Sequence, residues 1–195
     1  MWCCWVRLNM QPKLIGLTGF AGAGKDSVRL ILERDHGYHG VAFADPMRLM
    51  ICELLQSAGI STNYMHSRDL KEAPIPELGV SYRHMAQTLG TEWGRNLHPD
   101  FWIRIAASYV TDCAKHNGTA GMPIVISDVR FANEALWVKQ QGGEVWRIDR
   151  PNLPPVRIHQ SEREIDTLVH NRWIRNWGAL ADLELQVRMA LEGKS

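Results

Sequence analysis

Between residues 13 and 34 an apolar run, a glycine-spaced turn and a helical apolar pattern follow one another without a break, and few folds accommodate that order. Lys13-Leu14-Ile15-Gly16-Leu17-Thr18 is the apolar run, Gly19-Phe20-Ala21-Gly22-Ala23-Gly24-Lys25 is the turn, and Val28, Leu30, Ile31 and Leu32 then recur at helical spacing. The order predicts strand, loop, helix. The turn matches GxxxxGK, in which small side chains leave consecutive backbone N–H groups free to converge on phosphate oxygens. Gly19, Ala21, Gly22, Ala23 and Gly24 supply that backbone, and Lys25 balances the charge of the β and γ phosphates. The following helix aims its positive N-terminal end at the same place. Three glycines also make a plain tight turn, so the strand before and the helix after carry the phosphate reading.

The residue after Lys25 is Asp26, where the pattern usually offers a Ser or Thr hydroxyl to Mg²⁺. Asp26 holds the ion directly or through water, or Ser27 assists. A carboxylate beside a triphosphate needs the metal between them to offset like-charge repulsion.

The rest of the chain alternates helix and strand. Val41-Ala42-Phe43-Ala44 reads as a second strand closed by Asp45-Pro46, and residues 47–58 as a helix with Leu49, Met50, Leu54 and Leu55 inward. Residues 59–79 lack periodicity and read as a loop-rich excursion. Tyr82, Met85, Ala86, Leu89 and Trp93 form the apolar stripe of a helix over 81–95. A further helix over 100–116 buries Phe101, Ile105, Ala106, Tyr109, Val110 and Cys113 and stops at Asn117-Gly118. Pro123-Ile124-Val125-Ile126-Ser127 is continuously apolar, as a parallel strand covered on both faces is. A helix over 131–141, a strand over 144–148 and a segment marked by Pro151, Pro154 and Pro155 follow. The expectation is one α/β domain over residues 1–195, a three-layer α/β/α sandwich on a mostly parallel sheet. Residues 1–12 form an N-terminal extension, about 59–100 the acceptor-binding region, and about 150–163 a small arginine-bearing lid.

Composition narrows the partners. Twenty-two Lys and Arg against 21 Asp and Glu leave a net charge of +1, so no global field holds a nucleic-acid backbone or an anionic membrane. Cys3, Cys4, Cys52 and Cys113 lack both the paired spacing of a zinc site and the density of a secreted disulfide scaffold, which fits a reducing cytoplasm. No apolar run approaches membrane-spanning length, and the first residues lack the pattern of a signal peptide.

Asp128 closes an apolar strand, the usual place of the acid that orients Mg²⁺ or its waters, and Arg130 lies two residues on, suited to grip a phosphate. Glu134 reaches toward the same pocket from one helical turn further. A surface ion-pair cluster would use the same three residue types. Arg83, Gln87, Gly90 and Thr91 share one stripe of the helix over 81–95, where an arginine suits a phosphate and an amide suits a nucleobase edge. A solvated helix face would look similar. Asp45 and Arg48 sit at a helix start, where an N-cap followed by Pro46 is a sufficient structural reason. Arg147, Arg150, Arg157 and Arg163 surround the proline-marked segment, and phosphoryl transfer commonly relies on arginines that close over the transferring group.

Taken together these segments resemble the phage-type deoxynucleoside monophosphate kinases, a branch of the P-loop nucleoside monophosphate kinases. The resemblance rests on residues 19–26, on Phe43-Ala44-Asp45-Pro46-Met47-Arg48, and on Arg83-His84-Met85-Ala86-Gln87-Thr88-Leu89-Gly90-Thr91-Glu92. It continues in Asp128-Val129-Arg130-Phe131-Ala132-Asn133-Glu134, His159-Gln160-Ser161-Glu162 and Asn176-Trp177-Gly178-Ala179-Leu180. It implies that Arg83, Gln87, Gly90, Thr91, Asp128, Arg130 and Glu134 line the monophosphate pocket, that Trp102 walls the base, and that Asn176 and Gly178 lie beside the ATP adenine. His84 stands where another basic residue is expected.

The function implied is Mg²⁺-dependent transfer from ATP to a deoxynucleoside 5′-monophosphate, with Lys25, Asp128 and Arg130 as the catalytic set and Asp26 and Asp128 at the metal. Arg150 and Arg157 are the lid arginines. ATP and the monophosphate are the expected partners, a homodimer is allowed, and the setting is the cytoplasm, that of a host if the chain is phage-encoded. The alternatives are another small-molecule kinase resembling dephospho-coenzyme A kinase, and an ATPase switch or motor module. The run from Gln87 to Thr91 argues against the first, and the absence of a basic stripe against the second.

Overall fold

The computed structural model describes residues 11–67, 69–115, 121–151, 153 and 164–194, with backbone alone over 111–115. Of the expected extension only residues 11 and 12 fall in that set, and of the expected lid only Arg150, Pro151 and Leu153. Arg157, His159, Gln160, Ser161, Glu162 and Arg163 lie outside the described residues, as do Cys3, Cys4, Asn117 and Gly118.

The chain forms two compact units, Met1–Val41 with Cys113–Ser195, and Ala42–Asp112. The first unit holds a sheet of five strands in the order β2-β3-β1-β4-β5, every neighbouring pair parallel. These are β1 (Leu14–Thr18), β2 (His39–Val41), β3 (Ile124–Ile126), β4 (Glu144–Asp149) and β5 (Arg172–Arg175). All of β1 and β3 is buried, as an apolar run without alternation requires of strands covered on both faces.

Three helices of this unit cover the sheet: α1 (Lys25–His36), α7 (Ala132–Gln140) and α8 (Leu180–Leu191). Ile15, Leu17, Val125, Trp146, Ile148 and Ile174 form one face and pack with Val28, Ile31 and Leu32 of α1 and Leu183, Val187 and Leu191 of α8. Gly16 points the other way, where a Cβ would lie 3.1 Å from Val138 of α7. The sheet is therefore the middle of three layers, the α/β/α order the alternating elements imply.

The second unit holds α2 (Asp45–Ser57), α3 (Asn63–His66), α4 (Tyr82–Gln87), a π-helical segment (Thr88–Gly94), α5 (Arg95–Leu97) and most of α6 (Phe101–Lys115). Ser81 starts α4 by accepting from the His84 N–H at 3.2 Å. The region expected at 59–100 falls in this unit.

Several expectations are corrected. The second strand ends at Val41, because the Asp45 carboxylate accepts from the Ala42 N–H at 2.7 Å and turns the chain toward α2. On α2 the buried residues are Met47, Ile51 and Leu55, while Leu49, Met50 and Leu54 are exposed. Seven apolar residues in nine positions leave that helix no unique apolar face to read from sequence. Trp93 and Tyr109 are exposed, and α6 buries the expected Ala106 together with Trp102 and Ile103, which the expected stripe leaves out. Strand β5 is not among the strands expected from the sequence.

Candidate active site

The turn after β1 takes the conformations its glycines allow. Gly19, Gly22 and Gly24 have φ of 142°, 80° and 104°, values that side chains rarely adopt. A Cβ at Gly19 would strike the Ile148 carbonyl oxygen, and one at Gly24 would strike the Asn176 amide. Ala23 is buried in the core, which pins the middle of the loop to the sheet. No side chain caps α1 at its start on Gly24, so its first turn presents N–H groups at the loop.

Lys25 folds over this loop. Its Nζ donates to the carbonyls of Gly19 at 2.7 Å and Phe20 at 2.9 Å. Asp26 is exposed in the first turn of α1 and Ser27 is half-buried beside it.

The turn between β5 and α8 is tied to the same loop. Asn176 donates its Nδ2–H to the Ala23 carbonyl at 2.9 Å, and its backbone N–H to Asp149 at 2.7 Å. Gly178 follows, where a Cβ would strike the Asp182 carboxylate, which itself accepts from the Ala179 N–H at 2.9 Å. The segment expected beside ATP is thus held against the phosphate loop by a side chain of that segment.

At the same sheet edge, Val129 N–H donates to Leu17 O at 3.0 Å and sets residues 127–129 alongside the end of β1. Asp128 lies there, only 8% exposed. Strand β3 has already ended at Ile126, so the positions of Asp128 and Arg130 are set by a loop. Glu134 is 4% exposed, and its Oε2 accepts from the N–H groups of Arg130 at 2.8 Å and Phe131 at 3.1 Å. It caps α7 and shapes the turn that carries Arg130.

Arg150 is exposed just past β4. Arg147, read from sequence among the arginines around the lid, is occupied elsewhere: it donates to Ile165 O at 3.1 Å and to Asp166 at 2.7 Å. Its guanidinium lies 5.8 Å from the Phe20 ring and 5.9 Å from the Trp173 ring. Arg175 continues this row, 5.7 Å from Trp173 and 5.0 Å from Trp177. This aromatic and cationic row is not legible in the sequence, because its members come from three separate segments.

In the second unit, Asp45 and Arg48 pair with each other at 2.8 Å. Arg83 pairs with Glu72 at 2.8 Å. Gln87 ends α4, whereas Gly90 and Thr91 fall in the π-helical segment, so the four residues do not share one α-helical stripe. Trp102 is 6% exposed, and its indole N–H donates to the Gly90 carbonyl at 2.7 Å.

Mg²⁺ usually takes one or two carboxylates together with phosphate oxygens and waters. Asp128 at the sheet edge and Asp26 in the first turn of α1 fit that pattern, and among the described residues no group of three or more His, Cys, Asp and Glu side chains suits a metal held by protein alone. No helix among the described residues is long and apolar enough to cross a membrane.

A glycine loop at the carboxyl edge of a parallel sheet, opening a helix and closed by a lysine, defines a phosphate-binding α/β protein of the P-loop class. The family model for deoxynucleotide monophosphate kinase matches residues 64–187. A putative deoxynucleotide monophosphate kinase of Acanthamoeba polyphaga mimivirus is 32% identical over 165 residues, 80% of this chain and 83% of that protein. The chain belongs to the deoxynucleotide monophosphate kinase family. Two solved structures also align over 92% of this chain and 96% of their own: shikimate kinase from Aquifex aeolicus, at 15% identity and a TM-score of 0.48, and dephospho-CoA kinase from Campylobacter jejuni, at 12% and 0.47.

Proposed function

We propose that this chain transfers the γ-phosphoryl group of ATP to the 5′-phosphate of a deoxynucleoside monophosphate, giving ADP and the diphosphate. The observation that carries the donor half is the loop itself, with three glycines at positive φ, Lys25 folded across it and Asn176 braced against it. Family membership carries the acceptor half.

The acceptor phosphate is already a nucleophile, so the protein has to align it, neutralise charge and exclude water, and no general base is needed. The N–H groups of residues 19–24 and the Lys25 ammonium hold the β and γ phosphates. Arg130, on the turn shaped by Glu134, neutralises the transferring group, assisted by the lid arginines Arg150 and Arg157. Asp26, Ser27 and Asp128 would hold Mg²⁺ or its waters; the ion supplies charge neutralisation between the phosphates when bound. Asn176 and Gly178 border the ATP base. On the acceptor side Arg83 binds the phosphate, and Gln87 and Thr91 read the base, with Asp45, Arg48, Gly90 and Trp102 completing that region. The viral relative favours supply of DNA precursors in a host cytoplasm as the setting.

The test is ADP formation with each deoxynucleoside monophosphate in turn, with water and dephospho-coenzyme A as controls. Phosphorylation of at least one monophosphate well above both controls is expected. Hydrolysis alone would refute the proposal. Lys25→Ala should lower kcat by roughly 10²- to 10³-fold, the usual loss on removing one transition-state charge partner, while circular dichroism stays unchanged.

A further inference from the structure

The helical stretch assigned to the acceptor changes pitch midway. After α4 ends at Gln87, Thr88–Gly94 continues as a π-helix. An α-helix bonds each N–H to the carbonyl four residues back, and a π-helix to the fifth. One added residue turns everything beyond it by about 100° relative to an unbroken α-helix. Such a segment is rare and persists where its surroundings hold it.

Here the holding residue is Trp102. Its buried indole donates to the Gly90 carbonyl at 2.7 Å. Gly94 lies against the same ring: a Cβ there would stand 2.5 to 2.6 Å from Nε1, Cε2 and Cζ2, too close for any side chain. Gly90 is packed on Met47, where a Cβ would lie 3.1 Å from Sδ. Phe101 meets the indole edge to face with centroids 4.9 Å apart, and Trp93 lies at 6.3 Å, so the ring has little room to move. Gly94 thus fits the segment to the indole and Gly90 fits it to Met47, and the hydrogen bond from the indole to the Gly90 carbonyl locks the fit.

We infer that Trp102 is a positioning residue for acceptor selection, holding the π-helical segment so that Thr91 stands in a fixed relation to Arg83 and Gln87. This rests on the acceptor role proposed above for those three residues. Trp102 acts through the Gly90 carbonyl and the Gly94 backbone, and its ring is not the surface that the base touches. Relaxation to an α-helix would leave Arg83 and Gln87 in place and turn Thr91 to a different position relative to them, altering which base is preferred while leaving the phosphate loop unaffected.

The experiment compares wild type with Trp102→Phe, which keeps an aromatic ring but removes the N–H, and with Gly94→Ala, which pushes the ring aside. For each, KM is measured for the four common deoxynucleoside monophosphates at saturating ATP, and for ATP at saturating acceptor, beside a thermal melt. Both variants are expected to raise KM for the preferred acceptor roughly tenfold and to narrow the gap between best and worst acceptors, with KM for ATP within about twofold of wild type. A lower melting temperature with unchanged acceptor KM and preference would make Trp102 a structural support only and overturn the inference. So would a normal Trp102→Phe beside an impaired Trp102→Ala, the pattern of a ring that stacks on the base. If Gly94→Ala does not fold, Trp102→Phe decides alone. Calorimetric binding of the four monophosphates reads the same preferences without turnover. A wild type that binds them selectively yet transfers nothing would refute the proposed reaction, and the binding preferences of Trp102→Phe would still decide this inference.

Discussion

Tyr38 joins the end of α1 to the start of β2 and is 3% exposed, with its hydroxyl donating to the Pro12 carbonyl at 2.6 Å. Burial, and secondarily the negative charge of Glu144, push its phenol above the usual value near 10. The fold therefore favours the protonated form. Its stabilising effect is fully present below the unfolded value of about 10 and is lost as pH rises from there toward the higher folded value. Tyr38→Phe should cost about 1 kcal/mol at neutral pH through the lost hydrogen bond. The gap between wild type and variant should narrow above about pH 10, because only wild type loses stability through this phenol. Urea unfolding at pH 7, 9 and 10.5 checks it; a gap independent of pH would show that Tyr38 does not titrate differently in the two states.

At the scale of elements, the phosphate loop was legible because its glycines answer a backbone demand: Gly19, Gly22 and Gly24 all take positive φ. Strand β5 was not, since Arg172-Trp173-Ile174-Arg175 has a single residue, Ile174, facing the core and no apolar run to read. The π-helical segment was not legible either. Trp102, which donates to its Gly90 carbonyl, lies on another helix, whereas the spacing of Arg83, Gln87, Gly90 and Thr91 imitates an α-helical stripe. Asn176 was singled out by resemblance, but its tie to Ala23 depends on the β5–α8 turn and required the fold. That tie makes a prediction. Asn176→Ala leaves the Ala23 carbonyl without this donor, and Asn176→Asp sets a carboxylate against it. ATP affinity measured by calorimetry should fall roughly tenfold in the first and further in the second, with Kd for the acceptor unchanged. Equal ATP affinity in all three proteins would separate the turn from nucleotide binding.

At the scale of the whole molecule, a net charge of +1 gives no long-range field to gather two polyanionic nucleotides, so binding has to come from local groups. The groups proposed for it divide between the units: the loop over 19–25 and the turn over 176–178 belong to the first, and Arg83, Gln87 and Thr91 to the second. Each nucleotide should therefore leave its own footprint in amide hydrogen exchange. A ligand at 100 times its Kd stabilises the state that binds it by about 2.7 kcal/mol, enough to slow exchange about a hundredfold where opening requires release of the ligand. ATP should protect residues 19–28 and 174–178, and a deoxynucleoside monophosphate should protect residues 83–94. Lys25→Ala should lose the first pattern and keep the second, because the lysine is proposed to hold the donor phosphates and belongs to the first unit. If ATP instead protects residues 83–94 and leaves the loop unchanged, the donor and acceptor assignments are reversed. If Lys25→Ala loses both patterns with its fold intact, the acceptor does not bind independently of the donor loop, and its site cannot be confined to the second unit.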